Sequence, residues 1–347
     1  MRLPRPLRVG LLGYGWVNRK IWDTRLAWHP ATQVVARFDP AGTADSYASI
    51  EEFWSTSMDV VIVGTPNHTH GGLARQAARR GCSVVVEKPS CLTTAEYDAV
   101  AEQMAPGTVF LTAMPAAFRS DVRQLADSIG PGPFDIEASW RRRDGVPGID
   151  SWFTDRQRAG GGALLDLGWH LADAAYVMLT APLTSVKCEL TPMSSDLSRT
   201  AQWRSDTNTT TSSSARDVEV AGTLTARYAD GSILRLSAAW SADVGYDSTH
   251  IQVRTQQRSA HLWTTFGFSP HREPAPRLIV TDRAGSTTFR FLDAIGTEYD
   301  DQVDAIVAAI QYARQDPKAK SDWTDKAKRI MDLMEQAYRT AEAPLQP

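Results

Sequence analysis

The sequence predicts an α/β chain of two unlike halves: an N-terminal doubly wound parallel sheet, then an α+β unit built on a large, mostly antiparallel open sheet. Three observations predict it. Short, mostly apolar runs alternate with helix-favouring segments through residue 118, the pattern expected where helices cover both faces of a parallel sheet. A glycine-rich turn follows the first apolar run directly. Beyond residue 118 the runs become strand-rich, and one pair of them flanks the hairpin dipeptide Asp230-Gly231.

Each element follows in order. Residues 7–12 form the first strand, ended by glycines and followed by a helix over 16–28. The next strands are 33–38, 60–63 and 83–86, and the composition of 73–80 between them favours helix. A helix over 93–104 and a strand over 108–112 complete the unit, which is expected to end near Phe118. In the second unit 134–140 reads as a strand, 162–179 as a helix and most of 184–292 as strands. Residues 304–311 and 326–338 read as closing helices, with Ile330, Leu333 and Met334 at helical spacing. The Ser- and Thr-rich stretch 194–215 cannot bury much apolar surface, so a long exposed excursion is expected there.

At 347 residues the chain exceeds one ordinary core, and two folding units are placed at 1–118 and 119–347. With 42% hydrophobic and 22% charged residues the chain can bury a substantial core and is unlike a disordered one. A net charge of -3 and scattered basic residues provide no electrostatic reason to bind nucleic acid. Cys82, Cys91 and Cys188 form no C-x-x-C pair and too sparse a set for a disulfide framework. No run approaches the roughly 18 apolar residues of a membrane span, and the start is too weakly apolar for a signal peptide. A cytoplasmic location is the expectation.

The turn VGLLGYGWVN places Gly13 and Gly15 straight after the first strand, where missing side chains allow a tight turn and close approach of a pyrophosphate. Trp16 and Val17 of the same turn join them as candidate cofactor contacts. Asn18 stands where the G-x-G-x-x-G fingerprint has its third glycine. Asp39, at the end of the second strand, is placed to accept bonds from an adenosine ribose. That carboxylate would repel a 2′-phosphate, and Pro40, Ala41 and Gly42 add no cation, so NAD is expected ahead of NADP. Arg37 is the residue that could reverse the preference. Asp39-Pro40 is also an ordinary turn starter.

Three further motifs follow in order: TPNHTH at 65–70, EKP at 87–89 and AGGGALLDLGWH at 159–170. With the glycine turn they make the chain resemble the Gfo/Idh/MocA family of oxidoreductases, from Val9 to about Leu179 and more loosely to the closing helices. The resemblance implies a dinucleotide-binding Rossmann domain at 1–118 and a substrate-binding, oligomerising domain at 119–347. It implies that Lys88 is an active-site residue, that Pro89 follows a cis bond, and that Thr65, Pro66, Asn67 and His70 line the nicotinamide end. Glu87 is expected to brace the loop or the cofactor.

Asp166 and His170 are four residues apart, so one helix presents both from one face. Removing a carbinol proton as its hydride leaves requires an acid/base, and imidazole titrates in the useful range. His170 is the expected acid/base, with Lys88 hydrogen-bonding the same oxygen and lowering its neighbour's pKa by like-charge repulsion. Asp166 orients the substrate or the Lys88 ammonium. The sequence leaves open which of Lys88 and His170 transfers the proton. Asp173 is assigned to structure. His68 and His70 lack a third ligand at motif spacing, so no metal is expected.

Lys88, Trp152, Asp166 and His170 are the candidate substrate contacts, with Trp152 suited to stack on a sugar ring. Trp140 and Trp169 also flank the helix but are weaker candidates for stacking. Arg141, Arg142 and Arg143 read as a solvated strand end, with recognition of an anionic substrate as the alternative. The resemblance implies a sugar, amino sugar or cyclitol substrate, oxidised or reduced at a secondary alcohol, and a homodimer or homotetramer. The competing readings are a redox-neutral NAD-dependent glycosidase and a dinucleotide-binding regulator without catalysis.

Overall fold

A computed structural model describes residues 5–42, 45–47, 49–143, 145–194, 215–316 and 322–342. The first strands come from the apolar runs: β1 (Leu7–Leu12), β2 (Thr32–Phe38), β3 (Val60–Val63), β4 (Ser83–Val86) and β5 (Phe110–Thr112). They pair in parallel in the order β2-β1-β3-β4-β5. Every residue of β3 and β4 is buried, which is why these strands are continuous rather than alternating runs.

Between them lie α1 (Thr24–Trp28), entered through a π-helical turn at Asn18–Asp23, then α2 (Ile50–Ser55), α3 (His70–Arg79) and α4 (Thr94–Ala101). The π-helical entry is a feature that the expected helix over 16–28 did not contain. Helix α2, which the apolar pattern did not show, is started by a capping box in which the Ser49 hydroxyl accepts from the Glu52 N–H.

The second unit opens with α5 (Ser120–Ile129), also unanticipated, and β6 (Asp135–Arg141), then α6 (Arg156–Ala159) and α7 (Ala163–Ala175). Strands β7 (Leu183–Pro192), β8 (Glu219–Tyr228), β9 (Ile233–Ala239), β10 (Ser248–Arg254), β11 (Ser259–Thr264), β12 (Arg277–Asp282) and β13 (Gly285–Arg290) follow. Their order is β13-β12-β11-β10-β6-β9-β8-β7, antiparallel throughout except for the β6–β9 pair. Asp230-Gly231 sits in the β8–β9 hairpin as expected, with Gly231 at a φ of 87°. The expected excursion over 194–215 falls almost wholly outside the described residues.

The closing helices are α8 (Thr297–Gln315) and α9 (Asp322–Glu342). Val303, Ile306, Val307 and Ile310 of α8 pack on Leu7, Val9, Val60 and Ile62 of the first sheet. Helix α9 lies against β5 and β7, where the Trp323 indole donates to Thr112 O at 2.8 Å. Ile330 and Leu333 of α9 are fully buried, and burying each such side chain contributes roughly 1.5–3 kcal/mol. The chain's last helices therefore close over the parallel sheet that its first residues began.

Candidate active site

Strand β1 runs into Gly13, whose N–H donates to Phe38 O at 2.8 Å and whose φ is 77°. A Cβ there would stand 2.6 Å from Thr65 Cγ2 and 2.9 Å from Gly64 O, so conformation and space both exclude a side chain. Asn18 is fully buried, and its Nδ2 donates to Leu12 O at 2.9 Å and Gly13 O at 2.8 Å. The residue that replaces the third glycine thus braces the turn from behind.

Asp39 follows β2, and its Oδ1 accepts from the Ala41 N–H at 2.9 Å. It shapes the turn while still lining the cavity described below. Arg37 is committed elsewhere: its Nε and Nη2 donate to the two oxygens of Asp23 at 2.9 and 2.8 Å, and the Tyr14 hydroxyl donates to the same carboxylate.

After β3 come Thr65, Pro66 and Asn67, and the Asn67 amide donates to Ala159 O at 2.8 Å, linking the two units. The His70 ring is fully buried, with its nitrogens 2.7 Å from Pro89 O and 2.8 Å from Thr65 O. Burial pulls this imidazole down to about 4. It pins the TPNHTH loop to the EKP loop. After β4, Glu87 Oε1 accepts from the Trp22 indole at 2.8 Å, and the Lys88–Pro89 bond is cis, as the resemblance implied.

Lys88 Nζ reaches α7, donating to Asp166 Oδ1 and, at 3.2 Å, to Asp166 O. The Trp240 indole donates to Asp166 Oδ2 at 2.9 Å, and Arg142 Nη1 lies 3.7 Å from that oxygen. Burial opposes the carboxylate's charge, but the Lys88 and Arg142 cations outweigh it and hold the group well below the usual carboxylate range. His170, one turn further along α7, opens onto the same cavity, its ring 5.7 Å from that of Trp140. Burial, followed by the Lys88 cation, pulls it down to about 3 against the opposing pull of Asp166. At neutral pH the arrangement is an ammonium held by a carboxylate beside a neutral imidazole.

One cavity of about 950 Å³ joins these parts; every candidate cofactor contact lines it, as do Lys88, Trp140, Trp152, Asp166 and His170, whereas Trp169 is fully buried away from it. It lies outside the carboxyl ends of β1, β3 and β4, where open α/β sheets bind ligands. Its glycine turn, which a Cβ on Gly13 would fill, and its lining, which runs from Asp39 at one strand end to His170 on α7, fit a dinucleotide with a substrate beyond. Trp152 lines the cavity and stacks on Phe153 at 3.8 Å between ring centroids. Asp173 is fully buried against Lys326 at 2.6 Å, the structural role expected of it. Among the described residues no group of His, Cys, Asp and Glu side chains forms a metal site, and the three cysteines are free thiols.

One expectation is corrected. Arg141 and Arg143 are exposed, but Arg142 between them is buried beside Asp166 and lines the cavity, because alternate residues of an extended chain face opposite sides. Trp240, at the end of β9, was not singled out at all. Its only signal was the aromatic residue closing a strand of the hairpin, and nothing in its spacing tied it to Asp166.

Residues 7–112 match the family model described as an oxidoreductase family with an NAD-binding Rossmann fold, and 129–261 match the GFO/IDH/MocA C-terminal domain. A protein of Amycolatopsis mediterranei (strain S699), named provisionally as a UDP-kanosamine synthase oxidoreductase subunit, is 34% identical over 96% of both chains. The D-glucoside 3-dehydrogenase of Escherichia coli (strain K12) is 29% identical over 51% of this chain and 55% of its own. Among solved structures, the 3-ketoreductase KijD10 of Actinomadura kijaniata with NADP and TDP-benzene has a TM-score of 0.73 at 19% identity, covering 97% of this chain and 98% of that one. GenD2 from gentamicin A biosynthesis, solved with NAD, has a TM-score of 0.72 at 20% identity, covering 99% and 96%. The chain belongs to the Gfo/Idh/MocA family of oxidoreductases and carries that family's NAD(P)-binding Rossmann domain.

Proposed function

We propose that this protein is an NAD-dependent dehydrogenase or ketoreductase acting on a secondary alcohol or ketone of a sugar, amino sugar or cyclitol. The observation that carries the reading is the meeting of Lys88, Asp166 and His170 in the cavity that begins at the Gly13 turn. Bound nicotinamide supplies the hydride acceptor, or the donor in the reductive direction.

The residues supply the proton chemistry and the hold. Asp166, kept ionised, fixes the Lys88 ammonium so that its remaining N–H can donate to a carbinol or carbonyl oxygen. His170, neutral at pH 7, offers a ring nitrogen to the carbinol proton, but its pull down to about 3, below the useful range expected from the sequence, makes it a weak base that relies on the acidity the proton gains as the hydride leaves. Trp152, already stacked on Phe153, contributes its remaining surface to the sugar ring. Asp39 favours the 2′-hydroxyl of NAD, and the bidentate hold of Asp23 on Arg37 keeps the nearby cation from a 2′-phosphate. The sugar-linked names of the relatives support the substrate class.

The reading is tested by screening sugars, amino sugars and cyclitols, free and nucleotide-linked, for absorbance at the NADH band with NAD. A substrate that Lys88→Ala and His170→Ala turn over as fast as the unaltered protein would overturn it.

A further inference from the structure

The helix that carries Asp166 and His170 begins without a cap of its own. Its first turn is preceded by Gly162, which has no side chain to accept from the free N–H groups there. The acceptor comes from another element. Glu219, the first residue of β8, is buried, and its carboxylate accepts from the Gly162 N–H at 2.9 Å to each oxygen and from the Leu164 N–H at 3.0 Å. The Tyr338 hydroxyl of α9 donates to Glu219 Oε1 at 2.7 Å.

The glycines before α7 are shaped to this contact. A Cβ on Gly162 would lie 2.0 Å from Glu219 O, and one on Gly161 would lie 2.2 Å from the Tyr338 hydroxyl. The motif that reads in sequence as a helix entry is therefore the place where β8 and α9 press on the start of the helix. Asp166 is bound directly to that start, its N–H donating to Gly162 O at 2.9 Å.

We propose that Glu219 is a positioning residue for the reaction: its carboxylate, tied to Tyr338, sets where α7 begins and so where Asp166 and His170 meet Lys88. The proposal rests on the reading that α7 carries the reacting groups. A buried anion at a helix N-terminus is favoured by the helix dipole and by the donors that face it. The donors that face this carboxylate, two backbone N–H groups and the tyrosine hydroxyl, suit the ionised form, which accepts from all of them. Burial works the other way and lifts the carboxyl above its ordinary value. Tyr338 and, from β7, the Cys188 thiol are the titratable groups that sense it, and the Arg156 guanidinium lies over the Tyr338 ring.

The test uses Glu219→Gln and Tyr338→Phe in the full chain, with Lys88→Ala alongside. Unfolding temperature, NADH affinity, kcat and KM for the best sugar of the screen, and the 13C NMR titration of the His170 ring are measured. We expect Glu219→Gln to stay folded and bind NADH as before while kcat falls by about 10- to 100-fold, the cost of misplacing groups by about an ångström. Its His170 resonance shifts, and the acidic limb of the pH–rate profile contributed by Glu219 disappears. Tyr338→Phe moves each readout in the same direction by less. A folded Glu219→Gln with normal kcat, pH profile and His170 titration overturns the proposal. So does a loss of kcat matched by equal loss of NADH binding and folding in both variants. If Lys88→Ala also keeps full activity, the functional reading fails; if Lys88→Ala is inactive and Glu219→Gln is normal, the positioning role alone fails. The His170 titration decides the matter even when no sugar is turned over.

Discussion

The Trp240 indole donates to Asp166 Oδ2 at 2.9 Å while Lys88 holds Oδ1 of the same carboxylate. One donor comes from the second sheet and the other from the loop after the first, so the carboxylate is where the two units fix each other's side chains. Arg142, 3.7 Å away, adds a second cation to the same group.

Asp166→Asn takes away the carboxylate that Lys88 and Arg142 share and leaves two buried cations of like charge near each other. Turnover should fall by about 100-fold or more, the usual contribution of a positioned proton-transfer set. Stability should fall by roughly 3–5 kcal/mol, as when one partner of a buried pair is removed. Kinetics and urea unfolding measure the two effects. An asparagine variant with full turnover would mean that the ammonium needs no carboxylate to hold it.

Acid should destabilise the protein through its buried histidines. His70 and His170 sit at about 4 and about 3 in the folded chain against an ordinary 6.5, so the unfolded chain takes up protons first. Their contribution is complete above about pH 6.5 and is lost as the pH falls toward those lower values. Glu219 and Asp173, both lifted by burial, run the opposite way, so the clean measurement is a comparison. Between pH 6.5 and 4.5, His170→Asn should lose less stability than the unaltered protein in urea unfolding; identical slopes would count against a buried neutral imidazole.

Gly13→Ala places a methyl group 2.6 Å from Thr65 Cγ2 at a φ of 77°. Strain of this kind costs of order 1–3 kcal/mol. The variant should melt lower and bind NADH more weakly, because the turn that faces the cavity is the part that moves. Calorimetry and fluorescence titration check both, and unchanged binding would show that the turn lies outside the cofactor's reach.

Cofactor choice should follow Asp39. In the unaltered protein NADH should bind more tightly than NADPH, and Asp39→Ala should narrow the gap by about tenfold, equivalent to roughly 1.4 kcal/mol. Releasing Arg37 with Asp23→Asn should narrow it further. Tighter binding of NADPH by the unaltered protein would reverse the assignment.

Much of this was legible along the chain. The strands of the first sheet are runs whose burial on both faces demands continuous apolar sequence, as β3 and β4 show. Asp166 and His170 share a face because they are four apart on one helix. Helices α2 and α5 were harder to read: α2 is only six residues long, too short for a clear apolar period. The placement of α8 on the first sheet was hidden too, since Val303 and Ile306 carry helical spacing but no mark of which surface they cover.

By itself the sequence determined most of the order of strands and helices, the glycine turn at Gly13 and the shared helix face of Asp166 and His170, because these depend on neighbours within a few residues, while the resemblance of its motifs pointed to Lys88. Only the tertiary structure decided that Arg142, rather than Arg141 or Arg143, faces the carboxylate, that Trp240 holds it, and that Glu219 and Tyr338 close over the start of α7. Those contacts join residues dozens to more than a hundred positions apart. Their geometry is set by how sheets and helices pack, and no local spacing encodes it.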